Sequence, residues 1–307
     1  MTTSPPAASA SHPVDEKGSV VLRWTLPTLA LVLFGPLLAI PVAGLHDPTG
    51  GQAATLVLSD APVMGIVSLV LIALVASAGG AFTARVTAPG TGRTFAGLCI
   101  AWAAIRSADS WRLFQIHGAG ASIPLAIEGV LVAAATAAIV AALVVGGRFR
   151  TREGFITDVR AAVLSGNAAI GIVVGIAAGI AGAVLVALDG DRGQCLAAGF
   201  FGSTLAAVAV QLATPTLPPE QARLRATASV LVLMILAPLI PLVMPGGGEI
   251  SDAARAGTLL GPGIVLPLDW MVGVFLGVPT GMAWVGSVSE RAQHAQQPGS
   301  RPTPAGR

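Results

Sequence analysis

The stretch that decides the fold is Phe95 to Ile116, FAGLCIAWAAIRSADSWRLFQI. It is long enough to cross a bilayer as a helix, yet it carries Arg106, Asp109 and Arg112 where a membrane span should be apolar. Hydropathy alone would demote it to an interfacial helix. Charge placement argues the other way, because Lys and Arg near span ends are retained on the cytoplasmic side. With the segment counted as a span, Lys17, Arg23, Arg85, Arg93, Arg148, Arg150, Arg152, Arg160, Arg223, Arg225, Arg291, Arg301 and Arg307 fall on one side. Only Arg192 and Arg255 fall on the other. Left uncounted, the segment would put the basic stretch Arg148 to Arg160 opposite Arg85 and Arg93, and the bias would vanish.

The remaining chain supports the same reading. Hydrophobic residues make up 54% of the 307 positions and charged residues 10%, so a soluble fold could not cover its surface. Long apolar runs without strand alternation read as helices that satisfy their own backbone in lipid. The expectation is an all-α, polytopic bundle of eight spans near 20–45, 61–83, 95–116, 122–146, 163–188, 196–214, 227–244 and 264–286. The transmembrane domain is 20–288, between disordered cytoplasmic tails at 1–19 and 289–307, with both termini cytoplasmic. The Arg and Ala bias with a single Lys points to a bacterial inner membrane. Trp24, Trp111, Trp270 and Trp284 fall near span ends, as an aromatic belt requires, while Trp102 lies within its span.

The absences narrow the function. There is no GxxxxGK[ST] phosphate loop and no HExxH, and His12, His46, His117 and His294 lie in tails, loops or span ends. No cofactor or metal site is expected, nucleic acid is not a partner, and an enzyme is the less favoured class. Ser203, in GFFGST, lacks a histidine in any span core to serve as its base. Cys99 and Cys195 read as apolar fillers. Asp189 and Asp191, in LDGDRGQ, read as a polar turn before they read as a cation site.

Intramembrane charge is costly and marks candidate sites. The candidate polar cluster is Arg106, Asp109, Arg112, Glu128 and Asp269, whose carboxylates all sit about 8–10 Å below the outer ends of their spans at 1.5 Å per residue. Arg106 and Arg112 each stand three residues from Asp109, the spacing that brings helix side chains together. The cluster reads either as a hydrated pocket for an anion or proton, or more plainly as a salt-bridge network fixing helix order. Gly171, Gly175 and Gly179 share one face of span five and let a second helix approach closely, in this chain, in a homo-oligomer or in a partner membrane subunit. Interior prolines in spans one, seven and eight are a weaker sign of broken, site-lining helices. The two four-span halves are of similar length, so a duplication would be parallel, but no residue alignment is evident. Two functions stay open: a permease-like protein for a small solute or ion, or a non-catalytic scaffold subunit of a membrane complex.

Overall fold

The structure, a computed structural model, describes residues 16–49, 54–147, 151–188, 190–243, 250–259 and 261–296. Residues 1–15 and 297–307 of the tails expected at 1–19 and 289–307, Asp189 of the polar turn, and Arg148 and Arg150 lie outside them. Every element among the described residues is helical, and there is no strand. Seven segments are long and apolar enough to cross a membrane: Val20–Ala43, Pro62–Val86, Pro89–Gly146, Ala168–Val186, Arg192–Ala213, Pro219–Val243 and Pro267–Ser289. The chain is therefore a multi-pass membrane protein.

The first segment is α1 (Glu16–Leu29), a π-helical turn at Ala30–Phe34, and α2 (Gly35–Ala43). After α3 (Pro62–Val86), the 58-residue third segment is not one rod. It holds α4 (Pro89–Arg106), a short α5 (Ser110–His117), and α6 (Ser122–Gly146). An amphipathic α7 (Arg152–Leu164), started by the Thr151 hydroxyl accepting the Gly154 N–H, leads into α8 (Ala168–Val186). Then come α9 (Arg192–Ala213), α10 (Pro219–Leu236) with a 3₁₀ extension to Val243, and a short α11 (Ile250–Arg255). The last segment is α12 (Pro267–Val272), a π turn at Gly273–Gly277, and α13 (Val278–Gln296). Proline at the first position starts α3, α4, α10 and α12, where its missing N–H would have had no intrahelical acceptor.

The expected third span needs correction. The helix begins at Pro89, not near 95, and stops at Arg106; Ser107 takes an extended backbone, and Asp109 stands just before α5. Arg106, Asp109 and Arg112 are thus not on one continuous helix. Arg106 and Arg112 join Arg192 and Arg255 at the far end, so four of the 13 Lys and Arg among the described residues lie there and the bias is weaker than expected. Trp270 is also corrected: it is completely buried in the protein, not at an interface. Trp24 and Trp284 are exposed, as an aromatic belt would have them.

The bundle is built twice. Position n of α4 corresponds to n + 130 of α10: Pro89 to Pro219, Arg93 to Arg223, Ala96 to Ala226 and Ile105 to Ile235. Positions 91–104 and 221–234 carry an identical order of buried and less-buried residues. The same offset takes the buried Gly65, Ser68, Leu69, Ile72, Ala76 and Gly80 of α3 onto the buried Cys195, Ala198, Gly199, Gly202, Ala206 and Val210 of α9. Packing repeats as well. Within each half α3 meets α6 and α9 meets α12–α13; across the seam α4 meets α12 and α10 meets α6. The two halves thus exchange contacts crosswise.

Glycine sets how closely the helices approach. Gly171, Gly175 and Gly179 of α8 all face α10, where an added Cβ would run into Arg225, Ser229 and Leu233. The glycine face is therefore filled from within the chain. A second series, Gly273, Gly277 and Gly281, presses the last segment onto Ser203, Phe200 and Thr204 of α9.

Candidate functional site

Two polar sites stand at opposite ends of the seam. At the first, α9 begins with Arg192 and α12 with the sequence Pro-Leu-Asp, which sets Asp269 in its first turn. The Arg192 guanidinium grips the Asp269 carboxylate with both terminal nitrogens, Nη1 donating to Oδ2 at 2.9 Å and Nη2 to Oδ1. Its Nε donates at 2.6 Å to the Ala104 carbonyl in the last turn of α4, a carbonyl that also accepts the Ser107 N–H and hydroxyl. Asp269 Oδ2 also accepts the Leu266 N–H at 3.0 Å. Asp269 is completely buried and the Arg192 side chain is 12% exposed. One ion pair therefore ties both halves together: α4 on one side, α9 and α12 on the other.

Glu128 stands beside this clasp in the second turn of α6, fully buried. Its carboxylate accepts the Val57 N–H at 3.1 Å, the Leu56 N–H and the Thr55 hydroxyl. These belong to the α2–α3 loop, whose Ala54, Thr55 and Leu56 are buried and whose Leu56 carbonyl lies against Gly65. The loop neck is closed by the Asp60 N–H on the His46 carbonyl at 2.9 Å. Asp47 fixes it to the end of α5, its Oδ2 at 2.7 Å from His117 Nε2. Ser110 Oγ at the start of α5 lies 3.5 Å from Cys195 Sγ on α9.

Of the expected cluster, Glu128 and Asp269 are buried at this end, each with partners of its own. Arg106 and Arg112 are exposed and Asp109 is half-buried. Among the described residues no ion pair joins these three to one another or to either buried carboxylate. The cation that serves Asp269 is Arg192, which sequence reasoning used only to orient the chain.

The second site was not expected. Arg93 lies on α4 eleven residues before Ala104, about 16 Å down the helix axis. There a cavity of about 280 Å³ opens on the seam. Its wall is apolar: Val140, Leu143 and Val144 of α6, Leu224 of α10, and Val274 and Phe275 of the π turn. Its mouth is charged, with Arg93 and Arg223 at equivalent positions of the two halves, Glu220, and Asp158 of α7. Glu220 serves both arginines, at 2.5 Å from Arg223 Nη1 and 3.7 Å from Arg93 Nη2. Arg223 Nε is buried and has no hydrogen-bond partner among the described residues. Two arginines at the same helix position, one per half, are the signal in the sequence that could have found this site.

Arg225, two residues on, is an internal clamp. Fully buried, it donates from Nε to the Ala162 carbonyl at 2.9 Å and from Nη2 to Ser165 Oγ at 2.9 Å, holding the α7–α8 junction. Cys99 and Cys195 are buried free thiols. Among the described residues no group of three or more His, Cys, Asp or Glu is placed to hold a metal. The chain matches no family model, and no curated protein or solved structure matches it either.

Proposed function

We propose that the chain is a permease-like protein of eight crossings in a bacterial inner membrane, both termini cytoplasmic, that passes a small solute along the seam between its halves. The observation that carries this reading is the asymmetry of the seam. A cavity of about 280 Å³ occupies one end, and a buried ion pair spans the other. A path open at one end and closed at the other is what alternating access between two rocking halves requires. The solute site in this reading is the cavity, and the Arg192–Asp269 clasp with Glu128 is the closed outer gate.

The reading replaces a hydrated outer pocket, because Glu128 and Asp269 spend their oxygens on protein donors. The alternative, a non-catalytic scaffold subunit, draws on that same complete pairing. It loses the support of the α8 glycines, which α10 already fills.

Pulsed electron-spin resonance on labels at Ile116 and Leu188, exposed near the clasp in different halves, separates the two. The permease reading predicts two distance populations, with Asp269→Asn enriching the longer. A single distance unmoved by that substitution would favour the scaffold.

A further inference from the structure

We propose that the seam cavity binds a small amphipathic anion, its charged group held between Arg93 and Arg223 and its apolar part against Val140, Leu143, Val274 and Phe275. This deepens the permease reading by naming the substrate class, and it rests on that reading for the step of transport.

The two ends of the cavity ask for different chemistry. Apart from the Thr227 hydroxyl the wall offers carbon, which favours an apolar guest and gives little orientation to a purely polar one. The mouth offers two guanidinium groups that share one carboxylate. Arg93 reaches Glu220 only at 3.7 Å, longer than a hydrogen bond, and the buried Arg223 Nε donates to nothing among the described residues. Both arginines therefore have donor capacity left, in the planar geometry that suits a carboxylate or phosphate. The Glu220 side chain is 48% exposed and sits at the rim. It occupies the place an incoming anion would take and can swing outward to yield it. Size narrows the class further. About 280 Å³ is at the lower end of small-molecule pockets, suited to one short chain and too small for a two-chain lipid.

The test is equilibrium binding of radiolabelled octanoate to the full chain in phosphatidylcholine nanodiscs, with octanol, inorganic phosphate and octyltrimethylammonium as competitors. Saturable binding near one per chain is expected, displaced by octyl phosphate and not by those three competitors. Arg93→Gln and Arg223→Gln should each weaken it tenfold or more. Glu220→Gln should strengthen it, an outcome misfolding cannot produce. Equal competition by octanol, or unchanged affinity in both arginine variants, would overturn the proposal. So would retention of a stoichiometric phospholipid that octanoate cannot displace, which would assign the arginines to a lipid headgroup. Because binding needs no transport, its failure beside two spin-label distances sinks only the substrate class. Its success beside one distance sinks the permease reading instead.

Discussion

Arg192 and Asp269, 77 residues apart, close on each other as a two-pronged ion pair in the protein interior, with the Ala104 carbonyl of the other half as third partner. Removing one member of such a pair strands the other without water, whereas removing both does not.

Asp269→Asn or Arg192→Leu should therefore lower stability by about 3–5 kcal/mol, and the double replacement Arg192→Met with Asp269→Leu by clearly less. Unfolding in mixed micelles by titration with dodecyl sulfate measures all three. Asp109→Asn should change stability by no more than about 0.5 kcal/mol, since no ion pair among the described residues depends on it.

Glu128 holds a loop, not a helix. Glu128→Ala leaves the Val57 and Leu56 N–H groups without their acceptor and should cost about 1–3 kcal/mol. Hydrogen exchange at residues 54–60 should quicken far more than exchange in α8, a contrast that a general loosening of the bundle would not give.

Glycine positions divide by what lies opposite them. A Cβ at Gly277 would stand 2.4 Å from the Phe200 carbonyl oxygen, and one at Gly286 would meet nothing. Gly277→Ala should destabilise by about 1–3 kcal/mol by forcing α9 and the last segment apart, and Gly286→Ala should not. Thermal melts of the two variants in the same detergent make the comparison.

Asp47 gives the fold a dependence on acid. Burial works against its charge, but the hydroxyl and N–H of Thr49 and the His117 ring outweigh it and hold the carboxyl below its ordinary value of 3.8. A depressed carboxylate stabilises the fold above its unfolded pKa and loses that contribution as pH falls through the folded one. The melting temperature of the native protein should exceed that of Asp47→Asn at about pH 5, and the margin should shrink below about pH 4. A margin that persists at lower pH would mean the charge is not what holds the loop.

Most of the fold was legible because lipid imposes one rule, that long apolar runs become helices; the span expected at 122–146 coincides with α6. The third span was misplaced because hydropathy cannot register Pro89 as a helix start inside a polar stretch, or the break at Ser107 that frees Arg106 from the bilayer core. Glu128 and Asp269 were found because burying charge is costly wherever it occurs. Their partners were not, since Arg192 and the loop at 55–57 are remote in sequence and only folding brings them near. The duplication was hidden for a related reason: α4 and α10 keep the order of buried positions while changing nearly every residue, so Gly97 can face Thr227 and Cys99 face Ser229 in the alignment. The series Gly273, Gly277 and Gly281 was present in the sequence at the same spacing as the α8 glycines and carries as much of the packing.

The seam is tested most directly by its own cavity. Thr227 lines it and is nearly buried, and Cys99 and Cys195 can be replaced by alanine to clear the background. In that background Thr227→Cys is exposed to a membrane-impermeant thiol reagent from either face of sealed vesicles. Alternating access predicts fast modification from the cytoplasmic face and slower modification from the outer face, the latter accelerated when Asp269 is replaced by Asn. Modification from the cytoplasmic face alone, with the outer face silent even after the clasp is broken, would contradict it.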